Sequence, residues 1–327
     1  MFNLSFILVL VIFVALLFEF TNGWNDAANA IATVVSTRVL SPMSAIMMAA
    51  FLNFAGALVS TKVAKMVGGG LVVADVITPN TILAALMAAA FWNGFMTVLG
   101  LPVSGSHALI GGLLGAALMA AGVAAVKIKG ILIVLTALFI SPFLGFLFGG
   151  ALMVSLMWMF RKVAPSLINR RFGALQILSA GSMSFSHGTN DAQKVMGIIT
   201  LALVSGGVQQ TMEVPFWVIL ICALVMGLGT ALGGWRVIKT VGHGLMKMQP
   251  VHGFAAETSA VAVLMSAAGL GIPVSTTHTI TSSIIGVGAA KKFSAVKWGV
   301  GGKIVIAWVF TFPFTMGIAA AIAFLLK

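Results

Sequence analysis

Long apolar runs, interrupted at a few places by polar residues, dominate the sequence. The first run, residues 4–20, leads into the polar stretch Gly23–Ala30, and apolar residues then continue as far as Arg38. A helix needs about 20 apolar residues to cross the roughly 30 Å hydrocarbon core of a bilayer. The pattern therefore predicts a transmembrane helix that is broken at Asn25-Asp26, and a second one of the same construction that is broken at Asn190-Asp191.

The other apolar runs have similar lengths and predict further membrane helices. They are Pro42–Ser60, Thr81–Gly100, Val103–Gly122 and Ile131–Phe160, followed by Pro215–Gly233, Phe254–Gly271, Val274–Ala290 and Ile304–Leu326. Two neighbouring pairs are separated only by a dipeptide that contains proline, Leu101-Pro102 in one case and Ile272-Pro273 in the other. Each of these pairs predicts a proline-tipped helical hairpin, which either spans the membrane twice or re-enters from one side.

Two motifs occur twice in the chain, in the same order. Gly-x-Asn-Asp-Ala begins at Gly23 and again at Gly188, 165 residues later, and Pro-Val-Ser-x-x-His begins at Pro102 and again at Pro273, 171 residues later. Chance is a poor explanation for two such recurrences, whereas duplication of a half-protein produces both. The predicted organisation is a first transmembrane repeat, a basic cytoplasmic linker and a second transmembrane repeat, at residues 1–160, 161–173 and 174–327.

The distribution of basic residues predicts how the two repeats are oriented across the membrane. Each half crosses the membrane an odd number of times whether its hairpin spans or re-enters, so the second repeat is inverted relative to the first. With the central loop in the cytoplasm, 12 lysine and arginine residues fall inside and 5 outside, in agreement with the positive-inside rule. The inside set is Arg38, Arg161, Lys162, Arg170, Arg171, Arg236, Lys239, Lys247, Lys291, Lys292, Lys297 and Lys303. The outside set is Lys62, Lys65, Lys127, Lys129 and Lys327. Both chain termini are therefore predicted outside.

Composition narrows the class of protein. The chain of 327 residues is 60% hydrophobic and 7% charged, with a mean hydropathy of +1.15, whereas soluble domains carry about 25% charged residues. This indicates an all-α polytopic protein embedded in a lipid bilayer, since the lengths of the runs favour helices over a barrel. The net charge of +12 then orients the chain across the membrane and is not a sign of nucleic-acid binding.

Carboxylates within apolar segments are the first candidates for function, because ionisable groups are costly at that depth. Asp26 and Asp191 are related by the repeat, and each follows an asparagine. Their oxygens, together with the carbonyls of an unwound helix, suit a small hard cation. The predicted cation ligands are Asn25, Asp26, Asn190, Asp191 and Glu257. The alternative is that these are buried polar residues that only join helices. For Glu257, a structural pairing with Lys194 is an equally open alternative.

The two proline motifs predict an anion site. Proline suits the first position of a helix, so hydroxyl groups and free backbone N–H groups collect at each helix start, where the helix dipole is positive. Ordinary N-capping by serine is the alternative. The predicted anion-binding residues are Ser104, Gly105, Ser106, Ser275, Thr276 and Thr277.

Five further polar residues are weaker candidates. His107 and His278 are equivalent by the repeat, and for a histidine at a hairpin tip a hydrogen bond to a backbone carbonyl is favoured over a proton relay. Lys194 is expected to balance the charge of Asp191. The full weaker set is Asn29, Asn53, His107, His278 and Lys194.

These motifs resemble those of the PiT family of inorganic phosphate transporters, which carry Gly-x-Asn-Asp-x-x-Asn twice, each later followed by Pro-Ile/Val-Ser-x-x-His. The resemblance extends over both halves, at Gly23–Asn29, Pro102–His107, Gly188–Asp191 and Pro273–His278. It implies a secondary transporter, not an enzyme, that imports inorganic phosphate with a cation through the plasma membrane and without a cofactor. The second signature departs from the family pattern, because Gln193-Lys194 replaces a small residue and an asparagine.

The resemblance leaves the coupling ion open. Sodium is the expected ion and a proton is the alternative, because Asn53 stands where relatives that resemble the animal sodium-coupled branch often carry glutamate. A proton-coupled phosphate, metal-phosphate or sulfate symporter is therefore the main alternative function. A homodimer is a further expectation, since dimers are common among such transporters.

Two other classes of protein fit the sequence less well. An intramembrane hydrolase needs a serine activated by a nearby base, a role open to Ser104 and His107, yet it has no need to duplicate its catalytic set. A simple channel would not require proline-broken pairs at both faces of the membrane. Alternating access, by contrast, uses inverted repeats directly.

Overall fold

The structure, a computed structural model, describes residues 5–327, and this part of the chain is helical. The first predicted run, residues 4–20, begins one residue outside the described part. The helices of the first half are α1 (Phe6–Ser36), α2 (Pro42–Ala57), α3 (Lys62–Gly70), α4 (Pro79–Leu99), α5 (Gly105–Ala121) and α6 (Ile128–Met159). Those of the second half are α7 (Pro165–Ser205), α8 (Phe216–Leu232), α9 (Trp235–Lys239), α10 (Pro250–Gly269), α11 (Thr276–Lys291) and α12 (Trp298–Leu325). The predicted all-α fold class is confirmed.

Many of these helices have the length and composition of membrane spans. Within residues 5–327, six helical segments are long and apolar enough to cross a membrane. Two bent pairs, α2 with α3 and α8 with α9, raise the number to eight if each pair is a single span, with bends of 67° and 62°. The chain is therefore a multi-pass membrane protein, as its composition predicts.

The helix breaks lie beside the Asn-Asp signatures and not within them, which corrects the predicted broken helices. α1 runs without interruption through Asn25-Asp26, and α7 runs through Asn190-Asp191. The breaks fall instead in the two bent pairs. At the first, Gln193 Oε1 of α7 accepts hydrogen bonds from the backbone N–H groups of Val63 (2.8 Å) and Ala64 (3.3 Å), where α3 begins. A signature side chain thus satisfies donors that a helix start leaves unpaired, and its own helix stays intact.

The predicted central linker is helical over most of its length. α7 begins at Pro165, so residues 165–173 of the predicted linker 161–173 are helical. Proline is well suited to this position, since its fixed φ matches the helix and its missing N–H has no partner to lose at a helix start. Arg170 and Arg171 consequently lie on the first turns of α7.

The two halves pack against each other through matched contacts. α1 crosses α8 and α7 crosses α2, while α6 packs against α11 and α12 against α5. Glycines occupy equivalent crossing points, with Gly23 against the backbone of Met226 and Gly188 against the backbone of Asn53. A side chain at either glycine would collide with that backbone, so the glycines allow the close helix approach typical of membrane proteins. The exchange of helices between halves is the packing expected of the predicted inverted repeats.

The two hairpins, α4–α5 and α10–α11, turn inside the bundle with their tips in contact. Ser106 Oγ of the first tip donates a hydrogen bond to the Val274 carbonyl of the second, over 2.9 Å. In the reciprocal contact, Thr277 Oγ1 of the second tip lies 3.1 Å from the Val103 carbonyl of the first. The tips thus meet beside the two signatures, as is expected of re-entrant hairpins.

Candidate functional site

The hairpin tips and the two signatures form one buried region, which we call the junction. Its members are Asn25, Asp26 and Asn29 of α1, His187, Asn190, Asp191 and Lys194 of α7, and the tip segments Val103–His107 and Val274–His278. These residues are all buried, and the exposed fractions of Asp26 and Asp191 are 2% and 1%. Since α1 and α7 are unbroken, their own carbonyls are engaged in helical hydrogen bonds, and a cation site here must rely on side chains and on the tips.

A histidine that the sequence analysis missed lies between the two signature carboxylates. His187 Nε2 is 3.0 Å from Asp191 Oδ2 and 3.6 Å from Asp26 Oδ2, and its Nδ1 is 3.1 Å from Asn53 Oδ1. Together the two carboxylates and the ring form a buried cluster with the ligand spacing of a metal site. The sequence does contain a signal, because His187 immediately precedes the second signature, where the first repeat has the neutral Asn22.

Each signature carboxylate accepts a hydrogen bond from the tip of the second hairpin. Thr277 Oγ1 donates to Asp26 Oδ1 over 2.8 Å, and Thr276 Oγ1 donates to Asp191 Oδ2 over 2.6 Å. Two of the predicted anion-binding hydroxyls are therefore in direct contact with two of the predicted cation ligands. The predicted anion and cation sites thus share one place in the fold.

The signature asparagines attach the hairpins to α1 and α7. Asn25 Nδ2 donates to Thr97 Oγ1 of the first hairpin over 2.7 Å. Asn190 Nδ2 donates to the Leu264 carbonyl of the second hairpin over 3.3 Å. The amides thus hold each hairpin beside its own half's carboxylate, and their role as cation ligands stays a prediction.

Two of the predicted anion-binding serines act as helix caps. Ser104 Oγ accepts the backbone N–H of His107 over 3.1 Å, and Ser275 Oγ accepts that of His278 over 3.2 Å. The capping alternative therefore describes these two side chains in this structure. Gly105 begins α5, packed so closely against α1 that a side chain there would collide. Its role in anion binding stays a prediction.

The two tip histidines stack on each other. The ring centroids of His107 and His278 are 4.5 Å apart, and His278 also stacks on Trp308 at 3.9 Å. His107 Nδ1 lies 2.9 Å from Ser104 Oγ, so the predicted bond to a backbone carbonyl is corrected to a bond with the capping hydroxyl. The stack joins the two tips, and both rings border a cavity of about 690 Å³ between α6 and α12.

Lys194 is a central member of the junction. Its ammonium forms an ion pair with Asp191 and donates hydrogen bonds to Ser106 Oγ (2.5 Å) and to the Val274 carbonyl (3.0 Å). It therefore links α7 to both hairpin tips, a more central place than that of a weaker candidate.

Glu257 belongs to a different cluster. This fully buried carboxylate of α10 accepts hydrogen bonds from the hydroxyls of Thr33 on α1 and Ser179 on α7. The suggested pairing of Glu257 with Lys194 is therefore wrong, because Lys194 pairs with Asp191. A role for Glu257 as a cation ligand stays a prediction, with the two hydroxyls as its neighbours.

Comparisons with known proteins show the family of the chain. Residues 22–169 and 161–319 each match the sequence model of the Phosphate transporter family. A protein of Rhizobium meliloti described as a probable low-affinity inorganic phosphate transporter is 48% identical over 309 residues, which cover 94% of this chain and 92% of the relative. A Bacillus subtilis protein of the same description is 43% identical over 327 residues, with 98% and 97% covered. A solved structure described as the sodium-dependent phosphate transporter superposes with a TM-score of 0.89 at 27% identity, over 99% of both chains.

Proposed function

Because the chain belongs to the phosphate transporter family, we propose that it imports inorganic phosphate in symport with sodium by alternating access. The observation that carries this proposal is the junction, where two carboxylates and two helix N-termini from both halves of the chain meet in one buried region. The carboxylates offer ligands for a cation, and the helix starts offer N–H donors for an anion. The described relatives are transporters and not enzymes, so the hydrolase alternative is dropped.

Sodium is the proposed coupling ion. Asp26 and Asp191 supply hard oxygen ligands, and the tip hydroxyls of Thr277 and Thr276 lie within 2.8 Å and 2.6 Å of them. Oxygen donors of these kinds suit sodium. The similarity to a protein described as sodium-dependent also favours sodium.

Phosphate is proposed to bind between the N-termini of α5 and α11. Their dipoles place partial positive charge at the same point, and the hydroxyls of Ser106, Thr276 and Thr277 lie beside it. Asp191 is paired with Lys194, but without a bound cation the carboxylate of Asp26 would repel the phosphate. Sodium and phosphate therefore favour each other's binding, and this reciprocal coupling is what a symporter requires.

Alternating access is supported by the burial of the junction and by the meeting of the hairpins. In this structure the junction residues are buried, and movement of either hairpin tip would expose them on one side. A cavity of about 540 Å³, lined by Arg38, His243, Lys247 and Lys297 among others, lies at the C-terminal end of α1. Under the orientation predicted from charge this basic cavity faces the cytoplasm, where it would attract the departing anion.

Proton coupling is the second candidate, because one observation favours it. His187 lies between the carboxylates of Asp26 and Asp191, and histidine is the side chain whose charge changes most readily near neutral pH. A proton shared within this cluster would take the place of a sodium ion.

Uptake into liposomes tests the proposed function. The purified protein should accumulate labelled phosphate under an inward sodium gradient and lose most of that uptake when choline replaces sodium. Arsenate should compete and sulfate should not, because phosphate keeps a proton at neutral pH that a buried acceptor can bind, and loss of such a bond costs a factor of about 10⁴. Uptake driven by a proton gradient alone would favour the proton alternative, and strong competition by sulfate would contradict the proposed substrate.

Labelling of single cysteines tests the proposed orientation. In a Cys222→Ser background, Asp75→Cys should react with an impermeant maleimide from outside the cell, and Arg170→Cys only after the membrane is opened. Both positions are exposed in the structure, and the buried Cys222 is removed to clear the background. The reverse pattern would place both termini inside. The plasma-membrane location and the homodimer stay predictions.

A further inference from the structure

Lys194 breaks the symmetry between the two signatures. It stands three residues after the aspartate of its signature, as Asn29 does in the first. Both side chains reach a hydroxyl on the tip of the opposite half. Lys194 Nζ donates to Ser106 Oγ over 2.5 Å, and Asn29 Nδ2 donates to Thr277 Oγ1 over 3.0 Å. The two positions are therefore equivalent in space as well as in sequence, and they differ by one positive charge.

The Lys194 ammonium occupies a set of three oxygens of different kinds. They are a carboxylate oxygen of Asp191, the hydroxyl oxygen of Ser106 and the carbonyl oxygen of Val274. Such oxygens are the ligands that hard cations take in proteins. Lys194 is only 3% exposed, so its charge is held at the junction much as a bound ion would be.

The same three kinds of oxygen surround the first signature, beside a neutral amide. Thr277 Oγ1 lies 2.8 Å from Asp26 Oδ1 and 3.1 Å from the Val103 carbonyl. The amide of Asn29, which donates to Thr277 Oγ1 through Nδ2, also has a buried Oδ1 with no hydrogen-bond partner among residues 5–327. A buried acceptor without a partner is costly, and a bound cation would remove that cost. This set is therefore the counterpart of the one that Lys194 fills.

We propose that the Lys194 ammonium is a built-in cation that takes the place of one coupling ion. The junction has two equivalent oxygen sets, of which the first takes a sodium ion and the second is filled by Lys194. The chain then carries one sodium ion fewer per phosphate than it would with asparagine at position 194. This inference rests on the proposed sodium symport, and it names the residue that sets the number of ions.

The charge at the junction explains why such a replacement is compatible with phosphate binding. Asp191 needs a positive neighbour before an anion can bind nearby, and Lys194 supplies it in every state of the transport cycle. Asp26 has the neutral amide of Asn29 at the same position, so a cation in this oxygen set has to come from solution. Phosphate binding therefore depends on sodium through the first half only.

Lys194→Asn tests the inference, because it restores the residue that the first half carries. Phosphate accumulation at equilibrium is measured in liposomes at several sodium gradients, with the membrane potential held at zero. One additional sodium ion per phosphate raises the limit of accumulation about tenfold for a tenfold sodium gradient. Lys65→Asn is the matched control, since it makes the same change at an exposed lysine paired with Glu213.

Sodium binding is measured separately, without transport. Unfolding temperature in detergent is followed against sodium concentration with choline as the reference salt, because a ligand of the folded state stabilises it by mass action. Lys194→Asn should show a larger and steeper sodium shift than the wild type and Lys65→Asn. Should Lys194→Asn fail to fold, Lys194→Gln keeps an amide oxygen and more of the side-chain length.

The reciprocal variant Asn29→Lys should lose the sodium shift, because it places a second ammonium in the first oxygen set. An unchanged dependence of accumulation on sodium in Lys194→Asn, together with an unchanged sodium shift, would overturn the inference. If instead the proposed sodium symport is wrong, phosphate accumulation by the wild type itself will not depend on sodium, which distinguishes the two failures. A sodium shift that then appeared only in Lys194→Asn would still support Lys194 as the built-in cation.

Discussion

Asp26→Asn should reduce sodium-driven phosphate uptake by about a hundredfold or more. The proposed sodium ion would lose its charged ligand, and removing one partner of a buried charge pair costs roughly 3 kcal/mol. The protein should remain folded, because the asparagine keeps the shape of the side chain and can still accept the hydrogen bond from Thr277, now 2.8 Å long. Uptake in liposomes and the sodium shift in unfolding temperature measure the two expectations. Asp75→Asn is the control, since Asp75 is an exposed carboxylate. Wild-type sodium dependence in Asp26→Asn would remove Asp26 from the cation site.

Asp191→Asn should differ from Asp26→Asn in stability, although both should lose transport. Asp191 is the carboxylate that pairs with the buried Lys194 ammonium, and an uncompensated buried charge costs about 3–5 kcal/mol. The unfolding temperature should therefore fall in Asp191→Asn and recover in the double variant with Lys194→Asn, without recovery of transport. The double-mutant cycle isolates this pair, because the two residues are in contact. Equal stability of the two single variants would contradict the asymmetry between the halves.

The elements of the junction could be predicted from the sequence because each is a local signal. Asp26 and Asp191 stand out as charges in apolar surroundings, and the proline motifs mark where helices begin. The repeat then relates the two aspartates to each other and the two proline motifs to each other. Two repeats that each cross the membrane an odd number of times are inverted relative to each other, so equivalent residues are predicted to approach from opposite sides. Ser106 and Thr277 are equivalent residues, and each contacts the tip of the other hairpin.

What the sequence could not predict depends on contacts between distant segments. The position of the helix breaks is one example, because an Asn-Asp pair in an apolar run indicates a break only if its polar groups find no partners elsewhere. Here Gln193 bonds the start of α3, 130 residues away, and Asn25 bonds Thr97, 72 residues away. The side chains reach other helices, so α1 and α7 remain intact.

His187 and Glu257 show the same limit for single residues. His187 lies one helical turn before Asp191 on α7, but its contact with Asp26 follows only from the packing of α1 against α7. Glu257 could be recognised as a buried charge, but its partners, Thr33 and Ser179, come from two other helices. A polar residue within an apolar run can thus be recognised from the sequence as a candidate, but its hydrogen-bond partners are known only from the folded structure.

Ser104→Ala combined with Ser275→Ala should weaken phosphate binding by about thirtyfold, at roughly 1 kcal/mol for each lost cap, and should change sodium binding measured alone much less. The two hydroxyls hold the first turns of α5 and α11 by accepting the N–H groups of His107 and His278. Fraying of these turns would disperse the N–H donors that the proposed anion site needs. The carboxylate of Asp26 and the amide of Asn29 lie on α1, away from the two caps, so sodium affinity should fall less than phosphate affinity, although Thr277 lies in the first turn of α11.

A matched control separates this effect from a general loss of stability. Ser41 and Thr78 cap α2 and α4 in the same way, accepting the N–H groups of Ser44 (3.2 Å) and Thr81 (3.4 Å) outside the junction. Ser41→Ala with Thr78→Ala should lower the unfolding temperature by a similar amount and leave phosphate affinity unchanged. Phosphate and sodium affinities are measured by titration calorimetry on the purified protein. If both double variants weakened phosphate binding equally, or neither did, the helix starts of α5 and α11 would not be the phosphate site.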